Sequence, residues 1–155
     1  IGMERADTTA SPMFRKTFQI SGKTKTAFLH ICTLGYHEIY INGKPISNDV
    51  LAPSVVEFAK RYHSMSYNIS QFLQNGTNDI VIWLGKAWYD ASTKGVIGKG
   101  PYTLAQIDIL EGSVWKTIVS TDKTWLARTS GYYFPGSSRE NLCTNRLYLT
   151  VNHAN

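Results

Sequence analysis

The segment Tyr36–Ile41 constrains the fold of this chain most, because its side chains alternate between two faces. A period of two is typical of a β-strand that buries one of its faces. Asn42-Gly43 follows at once, and this dipeptide is the strongest short-range signal for a tight hairpin. The same alternation recurs along the chain and predicts a core made of Ile39, Ile41, Ile80, Ile82, Leu84, Ile107 and Ile109.

Short apolar segments separated by turn residues make up most of the remaining sequence. Strands are predicted at 13–20, 26–34, 79–84, 102–110, 114–120, 125–129 and 146–151. Segment 26–34 is apolar on both faces, which predicts a strand covered on both sides, and 68–73 has the spacing of one helical turn. The sequence therefore predicts an all-β fold, an antiparallel β-sandwich or jelly roll with short helical turns.

The length of 155 residues fits one domain. We expect a leading segment at 1–12 and a single β-sandwich at 13–152. Because the chain starts with Ile1-Gly2 and not with Met, we expect it to be a fragment of a longer, multidomain polypeptide. Two long irregular connections are predicted at 48–65 and 86–101, and long connections at the rim of a sandwich are common places for binding sites.

The net charge of +5 raises the question of a nucleic-acid partner. The basic residues are scattered along the chain and form no run and no helical stripe, so no nucleic-acid binding is predicted. The chain also has no apolar run near the ~18–20 residues that a membrane-spanning helix needs, so no membrane partner is predicted.

No motif of a catalytic or metal site is found in the sequence. Asp79, Glu111 and Asp122 are expected in turns, where carboxylates accept hydrogen bonds from the backbone, and no pair of carboxylates suited to glycoside hydrolysis stands out. No catalytic residue is therefore predicted. Cys32 and Cys143 are expected to be buried free thiols.

The histidines do not have the spacing of a zinc site, and His30 and His37 are expected to pack within strands. No cofactor is predicted from the sequence. Calcium stays open, because backbone carbonyls can bind it without leaving a sequence signal. The loop positions to consider for calcium are Asn48, Asp49 and Asp90.

A series of short motifs occurs in a characteristic order. They are SPMFRKTF at 11–18, GYHEIYINGK at 35–44, VLAP at 50–53, YNIS at 67–70, NGTN at 75–78, LG at 84–85 and TDKTW at 121–125. Together they resemble the N-terminal β-sandwich domain of bacterial α-L-rhamnosidases, a galactose-binding-like jelly-roll accessory domain of glycosidases. The resemblance covers about residues 11–125.

This resemblance implies a non-catalytic N-terminal module of a bacterial glycoside hydrolase, an α-L-rhamnosidase, whose partner is the catalytic domain of the same polypeptide. The parent would cleave terminal rhamnose by inversion with carboxylates on a separate (α/α)-barrel domain. The resemblance also implies a periplasmic or secreted protein, with a cytoplasmic location left open. Two other interpretations remain, an autonomous carbohydrate-binding module and an adhesion or structural sandwich unrelated to glycans.

Two aromatic clusters are candidates for binding a sugar. One follows a predicted buried strand at the mouth of the glycine-rich connection, and the other precedes Pro135-Gly136. Aromatic rings offer flat apolar faces to sugar C–H groups, and a carboxylate accepts hydrogen bonds from hydroxyls. The alternative is that Trp88 and Tyr89 simply close the end of the sandwich. The candidate residues for binding a rhamnose-containing glycan are Trp88, Tyr89, Asp90, Tyr132, Tyr133 and Asp49.

Overall fold

The computed structural model describes residues 10–22, 26–86, 89, 94–96 and 100–133, and almost all of its regular structure is β. No helix in these residues is long and apolar enough to cross a membrane. The strands and the one 3₁₀ turn of this part of the chain are β1 (Ala10–Ile20), β2 (Ala27–Leu34), β3 (Tyr36–Ile41), β4 (Lys44–Pro45), β5 (Ser64–Asn68), the 3₁₀ turn Ser70–Phe72, β6 (Gly76–Gly85), β7 (Tyr102–Glu111), β8 (Val114–Ser120) and β9 (Leu126–Tyr133).

The strands form two antiparallel sheets, which confirms the predicted β-sandwich. One sheet has the order β4-β3-β6-β1-β9 and the other the order β5-β2-β7-β8. Alternate residues of both sheets meet in one core, because successive side chains of a strand point to opposite faces. All seven residues predicted for the core are buried, none with more than 5% of its surface exposed: Ile39, Ile41, Ile80, Ile82, Leu84, Ile107 and Ile109.

The predicted hairpin forms between β3 and β4. Asn42 has φ 51° and Gly43 has φ 76°, the left-handed conformations that a tight two-residue turn of this kind requires. The Asn42 side chain also forms hydrogen bonds outside the hairpin. Its Nδ2 donates to Phe72 O at 2.9 Å and to Asn78 Oδ1 at 2.9 Å. The turn is thus tied to the 3₁₀ segment and to β6.

Asn78 is fully buried at this end of the sandwich and satisfies four backbone or side-chain groups. Its Oδ1 accepts from Asn42 Nδ2 at 2.9 Å and from Gln74 N at 2.9 Å. Its Nδ2 donates to Gln74 O at 2.7 Å and to Gly76 O at 3.1 Å. One amide therefore holds the chain reversal that leads into β6.

The structure corrects several expectations about local elements. β5 lies at the end of a segment predicted to be irregular, and it forms because Ser64–Asn68 pairs with β2. β2 has one buried and one half-buried face instead of two covered faces. Cys32 points to the half-buried face and is a free thiol, so it is not fully buried. The predicted strand 146–151 and Cys143 lie outside the described residues.

Of the three carboxylates predicted in turns, Asp79 is in β6 instead, where its Oδ1 lies 2.8 Å from Arg15 Nε on the neighbouring strand. Glu111 ends β7 and pairs with Lys116 at 3.5 Å. Asp122 occupies a turn and accepts from Thr124 N at 2.8 Å, as predicted. A hydrogen bond from the Thr124 hydroxyl, followed by this one from the Thr124 backbone N–H, lowers the pKa of Asp122.

The register of the strands brings the long connections to one end of the sandwich, here named the loop end. Tyr36 pairs with Gly85, and Leu34 pairs with Tyr102, so the connections 46–63 and 86–101 both reach this end. Ala10 pairs with Tyr133, so β1 begins and β9 ends here as well. The opposite end carries the tight turns, and it is named the turn end.

Candidate functional site

Two connections that are distant in sequence meet at the loop end through glycine contacts. Gly95 has φ +87°, and a Cβ at this position would lie 2.2 Å from the backbone N of Ala59. A Cβ on Gly100 would lie 2.5 Å from the ring of Tyr89. Such separations are far shorter than any van der Waals contact, so glycine at 95 lets the two connections touch, and glycine at 100 leaves room for the Tyr89 ring within connection 86–101.

Four aromatic side chains, Phe58, Tyr62, Tyr89 and Tyr102, pack together at this contact and form the aromatic cluster. The Tyr89 ring meets Phe58 edge to face with 5.2 Å between centroids, and it meets Tyr102 edge to face at 6.1 Å. Phe58 also lies 6.5 Å from the Tyr62 ring. Edge-to-face pairs of this kind add stability beyond the area they bury. The cluster therefore joins the two connections to each other and to the start of β7.

Tyr89, a predicted sugar-binding residue, has only 2% of its surface exposed. Its ring therefore packs inside the aromatic cluster. Trp88 and Asp90 lie outside the described residues. A role for these three residues in binding a sugar stays a prediction.

The other predicted residues also belong to segments at the loop end. The backbone of Tyr132 and Tyr133 forms the last part of β9, opposite Ala10. Asp49 is exposed in the connection 46–63, and its backbone N–H donates to Ser47 Oγ at 2.9 Å. The fold thus gathers the predicted segments at one end, while the proposed side-chain contacts to a sugar remain a prediction.

A buried histidine fastens connection 46–63 to both sheets. The backbone N–H of His37 donates to Ala52 O at 2.8 Å. Its Nδ1 lies 2.9 Å from Thr33 Oγ1 on β2, and its Nε2 lies 3.0 Å from Tyr67 Oη on β5. The prediction that His37 packs within a strand is confirmed, and its hydrogen bonds give that position a second role in holding the loop end.

Burial sets the ionisation of this group. It lowers the pKa of His37 from 6.5 to about 4, and the negative charge of Asp49 opposes the shift. Burial, followed by the charge of Asp49, raises the pKa of Tyr67. His37 is therefore neutral at pH 7, and one of its ring nitrogens accepts a hydrogen bond while the other donates.

A shallow depression lies beside this network. Its volume is about 270 Å³ when the part open to solvent is counted. Ser54 Oγ lies 3.2 Å from His63 Nδ1 at its edge. The depression is lined by Thr33, Gly35, Tyr36, Pro53, Ser54, Val55, Val56, Phe58 and His63.

No group of three or more His, Cys, Asp or Glu side chains placed to hold a metal ion occurs among the described residues. Calcium also binds backbone carbonyl oxygens, so a calcium site does not require such a group of side chains. One exposed carboxylate at this end, that of Glu57, pairs through Oε2 with Lys60 Nζ at 2.9 Å.

The sequence interpretation did not single out Phe58, Tyr62 or Tyr102. Phe58 and Tyr62 are four residues apart within a segment that was expected to be irregular, and that pair of aromatics was an available signal. Their contact with Tyr89 had no such signal, because it depends on how two connections fold against each other.

The antiparallel sheets and the long connections that meet around aromatic side chains at one end define this protein as a β-sandwich module. The α-L-rhamnosidase N-terminal domain family matches residues 22–136. The chain belongs to this family.

Individual relatives agree with the family assignment. An α-L-rhamnosidase from Formosa agariphila is 26% identical over 122 residues, which cover 76% of this chain and 13% of that protein. The solved structure of an α-L-rhamnosidase from Dictyoglomus thermophilum is 27% identical and superposes with a TM-score of 0.70, covering 86% of this chain and 17% of that one. The solved structure of an α-L-rhamnosidase from Aspergillus terreus shares the fold, with a TM-score of 0.71 and 24% identity. The match covers 81% of this chain and 15% of that one.

The chain spans only a small part of these relatives. It covers between 13% and 15% of the length of the curated α-L-rhamnosidases that it matches. What is shared is therefore one domain of much larger proteins.

Proposed function

We propose that this chain is a non-catalytic N-terminal module of a longer α-L-rhamnosidase and that its partner is the catalytic domain of the same polypeptide. One observation carries the proposal: the N-terminal domain family matches residues 22–136, while the chain covers no more than 15% of its curated relatives. The parent would hydrolyse terminal α-L-rhamnosides, with inversion and with carboxylates located on another domain.

The first test is activity. The 155-residue chain is expected to give no turnover of an aryl α-L-rhamnoside at high protein concentration, whereas the full-length polypeptide hydrolyses it. Glycoside hydrolysis needs two carboxylates that face each other across a cleft, about 5–10 Å apart. Glu57 is instead paired with Lys60 on the surface.

The matched controls are substitutions of single carboxylates in the isolated chain. If the chain shows turnover that disappears in Glu57→Ala or Asp90→Ala but persists in Asp122→Ala, the module is itself catalytic and the proposal is wrong. Asp122 suits this control because its carboxylate caps an exposed turn.

We further propose that the module assists substrate recognition by binding a rhamnose-containing glycan at the loop end. The support is that the fold brings the segments of Tyr89, Asp49 and the end of β9 to the same end of the sandwich. The residues proposed for this site are Trp88, Tyr89, Asp90, Tyr132, Tyr133 and Asp49.

A titration with L-rhamnose tests this site. A weak single-sugar site has a dissociation constant on the order of 0.1–1 mM, about 4–5.5 kcal/mol of binding free energy. We expect Trp88→Ala to weaken binding at least about tenfold, because a stacking surface is removed. The titration is run by calorimetry with calcium and with a chelator, which shows whether the ion takes part.

Trp115→Ala is the matched control, because Trp115 is 51% exposed on strand β8. Equal losses in both variants would place the sugar elsewhere or indicate a general effect on the fold. No binding up to tens of millimolar would make the module a scaffold only.

A further inference from the structure

The connection 46–63 exposes an unusual amount of apolar surface. The described residues include eight large hydrophobic side chains that are exposed, and four of them lie on this one connection. They form what is named here the loop-end patch: Val50 at 75% exposure, Leu51 at 48%, Val55 at 53% and Tyr62 at 47%. Apolar residues grouped in this way mark surfaces that contact another molecule or domain more often than isolated ones do.

The backbone of the patch provides a second, independent observation. Leu51 has φ 61°, in the left-handed region that a leucine rarely adopts because its Cβ crowds the carbonyl oxygen. Its neighbour Ala52 is buried and accepts the hydrogen bond from His37. The fold thus holds a strained residue whose side chain is turned outward, and backbone strain of this kind is concentrated at functional surfaces.

The position of the patch indicates which partner binds to it, namely another domain of the same polypeptide. β1 begins and β9 ends at the loop end, where Ala10 pairs with Tyr133. The first and the last described strands therefore meet the same end of the sandwich as the patch, and another domain of the same polypeptide is held at a high effective concentration. The other exposed apolar residues lie on β7, β8 and β9, among them Val114 at the turn end.

From these observations we infer that the loop-end patch is the surface on which the module docks against a neighbouring domain of its own polypeptide. The inference rests on the proposed function, because it takes the module to be part of a longer rhamnosidase. Glu57, Lys60 and Arg61 are exposed between Val55 and Tyr62, so charged side chains accompany the apolar ones, as at interfaces between domains.

Hydroxyl-radical footprinting of the full-length polypeptide tests the docking surface. Tyr62 and Trp115 are similarly exposed in the module, so both are internal reporters. We expect Tyr62 to be protected in the wild type and its labelling to rise about tenfold in the double variant Leu51→Asn, Val55→Ser, as about 1.4 kcal/mol of docking free energy predicts. Asparagine tolerates the left-handed conformation, so the module keeps its fold.

The control is Val114→Ser, Leu126→Ser, which removes two apolar residues that are more exposed than Leu51 and Val55 and lie away from the loop end, and it is expected to leave Tyr62 protected. Tyr62 that labels freely in the wild type, or equally in both variants, overturns the inference. Protection of Tyr62 that is retained in the 155-residue chain also overturns the inference, because the residues that cover Tyr62 would then belong to this chain. Protection that occurs only in a dimer detected by light scattering overturns it as well.

Hydrolysis of an aryl α-L-rhamnoside by the same full-length samples keeps the two proposals apart. A wild type that protects Tyr62 but hydrolyses nothing contradicts the proposed function and leaves the docking surface in place. Activity with freely labelled Tyr62 contradicts the docking surface alone.

Discussion

Asn78→Ala is expected to lower the free energy of unfolding by about 3 kcal/mol, because it leaves several buried polar groups without partners. The side-chain amide of Asn78 satisfies both the N–H and the C=O of Gln74, as well as the Gly76 carbonyl and the Asn42 side chain. The loss is a large fraction of the ~5–15 kcal/mol that stabilises a typical domain. Urea unfolding at pH 7 measures it.

Two further variants separate hydrogen bonding from packing. Asn78→Asp keeps the shape but presents a carboxylate to the Gln74 and Gly76 carbonyls, so it is expected to destabilise at least as much as alanine. Asn75→Ala removes an exposed amide from the same turn, which accepts one hydrogen bond from Gly22 N, and is expected to cost about 1 kcal/mol or less. Equal effects for Asn75→Ala and Asn78→Ala would contradict this role of the buried amide.

Acidification is expected to cost about 3 kcal/mol of stability between pH 8 and pH 4 through His37 alone. Burial lowers the pKa of His37 from 6.5 to about 4, so in this range the unfolded chain binds more protons than the folded one. The contribution of neutral His37 to the free energy of unfolding is therefore fully present above pH 6.5, and it is lost as the pH falls through 4. Urea unfolding at half-unit pH steps measures the slope.

The matched variants are His37→Gln and His30→Gln. Glutamine has no charge to acquire, so His37→Gln is expected to flatten the slope between pH 6.5 and 4 while lowering stability at pH 8. His30→Gln removes a histidine from the half-buried face of β2, where it contacts Ser66 and Asp108, and it measures the effect of losing a histidine elsewhere in the fold. A wild-type slope that persists in His37→Gln would assign the pH dependence to other groups.

The parts of the fold that local patterns determine were predictable from sequence. Ile39 and Ile41 alternate with polar neighbours, and only one face of such a strand can enter the core. Asn42-Gly43 fixes the hairpin through its own backbone preferences. The family resemblance rested on the same turns and strands, so it survives low sequence identity.

β5 could not be predicted in this way, because Ser64–Asn68 has few β-branched residues and becomes a strand through pairing with β2. The predicted strand 79–84 begins at Asp79, but the ion pair of Asp79 with Arg15 depends on the pairing of β6 with β1. Strand pairing is a tertiary property, and a short polar segment carries little local signal for it.

The candidate site was predicted only at the level of segments. The sequence indicated that the stretch around Tyr89 lies at the end of a buried strand, and the structure puts this residue at the loop end. Whether its ring is exposed or buried depends on Phe58, which reaches it from connection 46–63, and on Gly100 at the far end of its own connection. Contacts between two irregular connections leave no periodic pattern in sequence.

The close approach of Gly95 to Ala59 has a consequence for how homologous modules diverge. Because the two connections touch without room for a methyl group, a change in the length of one must be matched by a change in the other, and they are expected to evolve as a unit. Gly112, by contrast, has nothing within 4 Å of the place where a Cβ would stand. The β7–β8 turn is therefore the natural point to graft a tag or an inserted domain without disturbing the rest of the molecule.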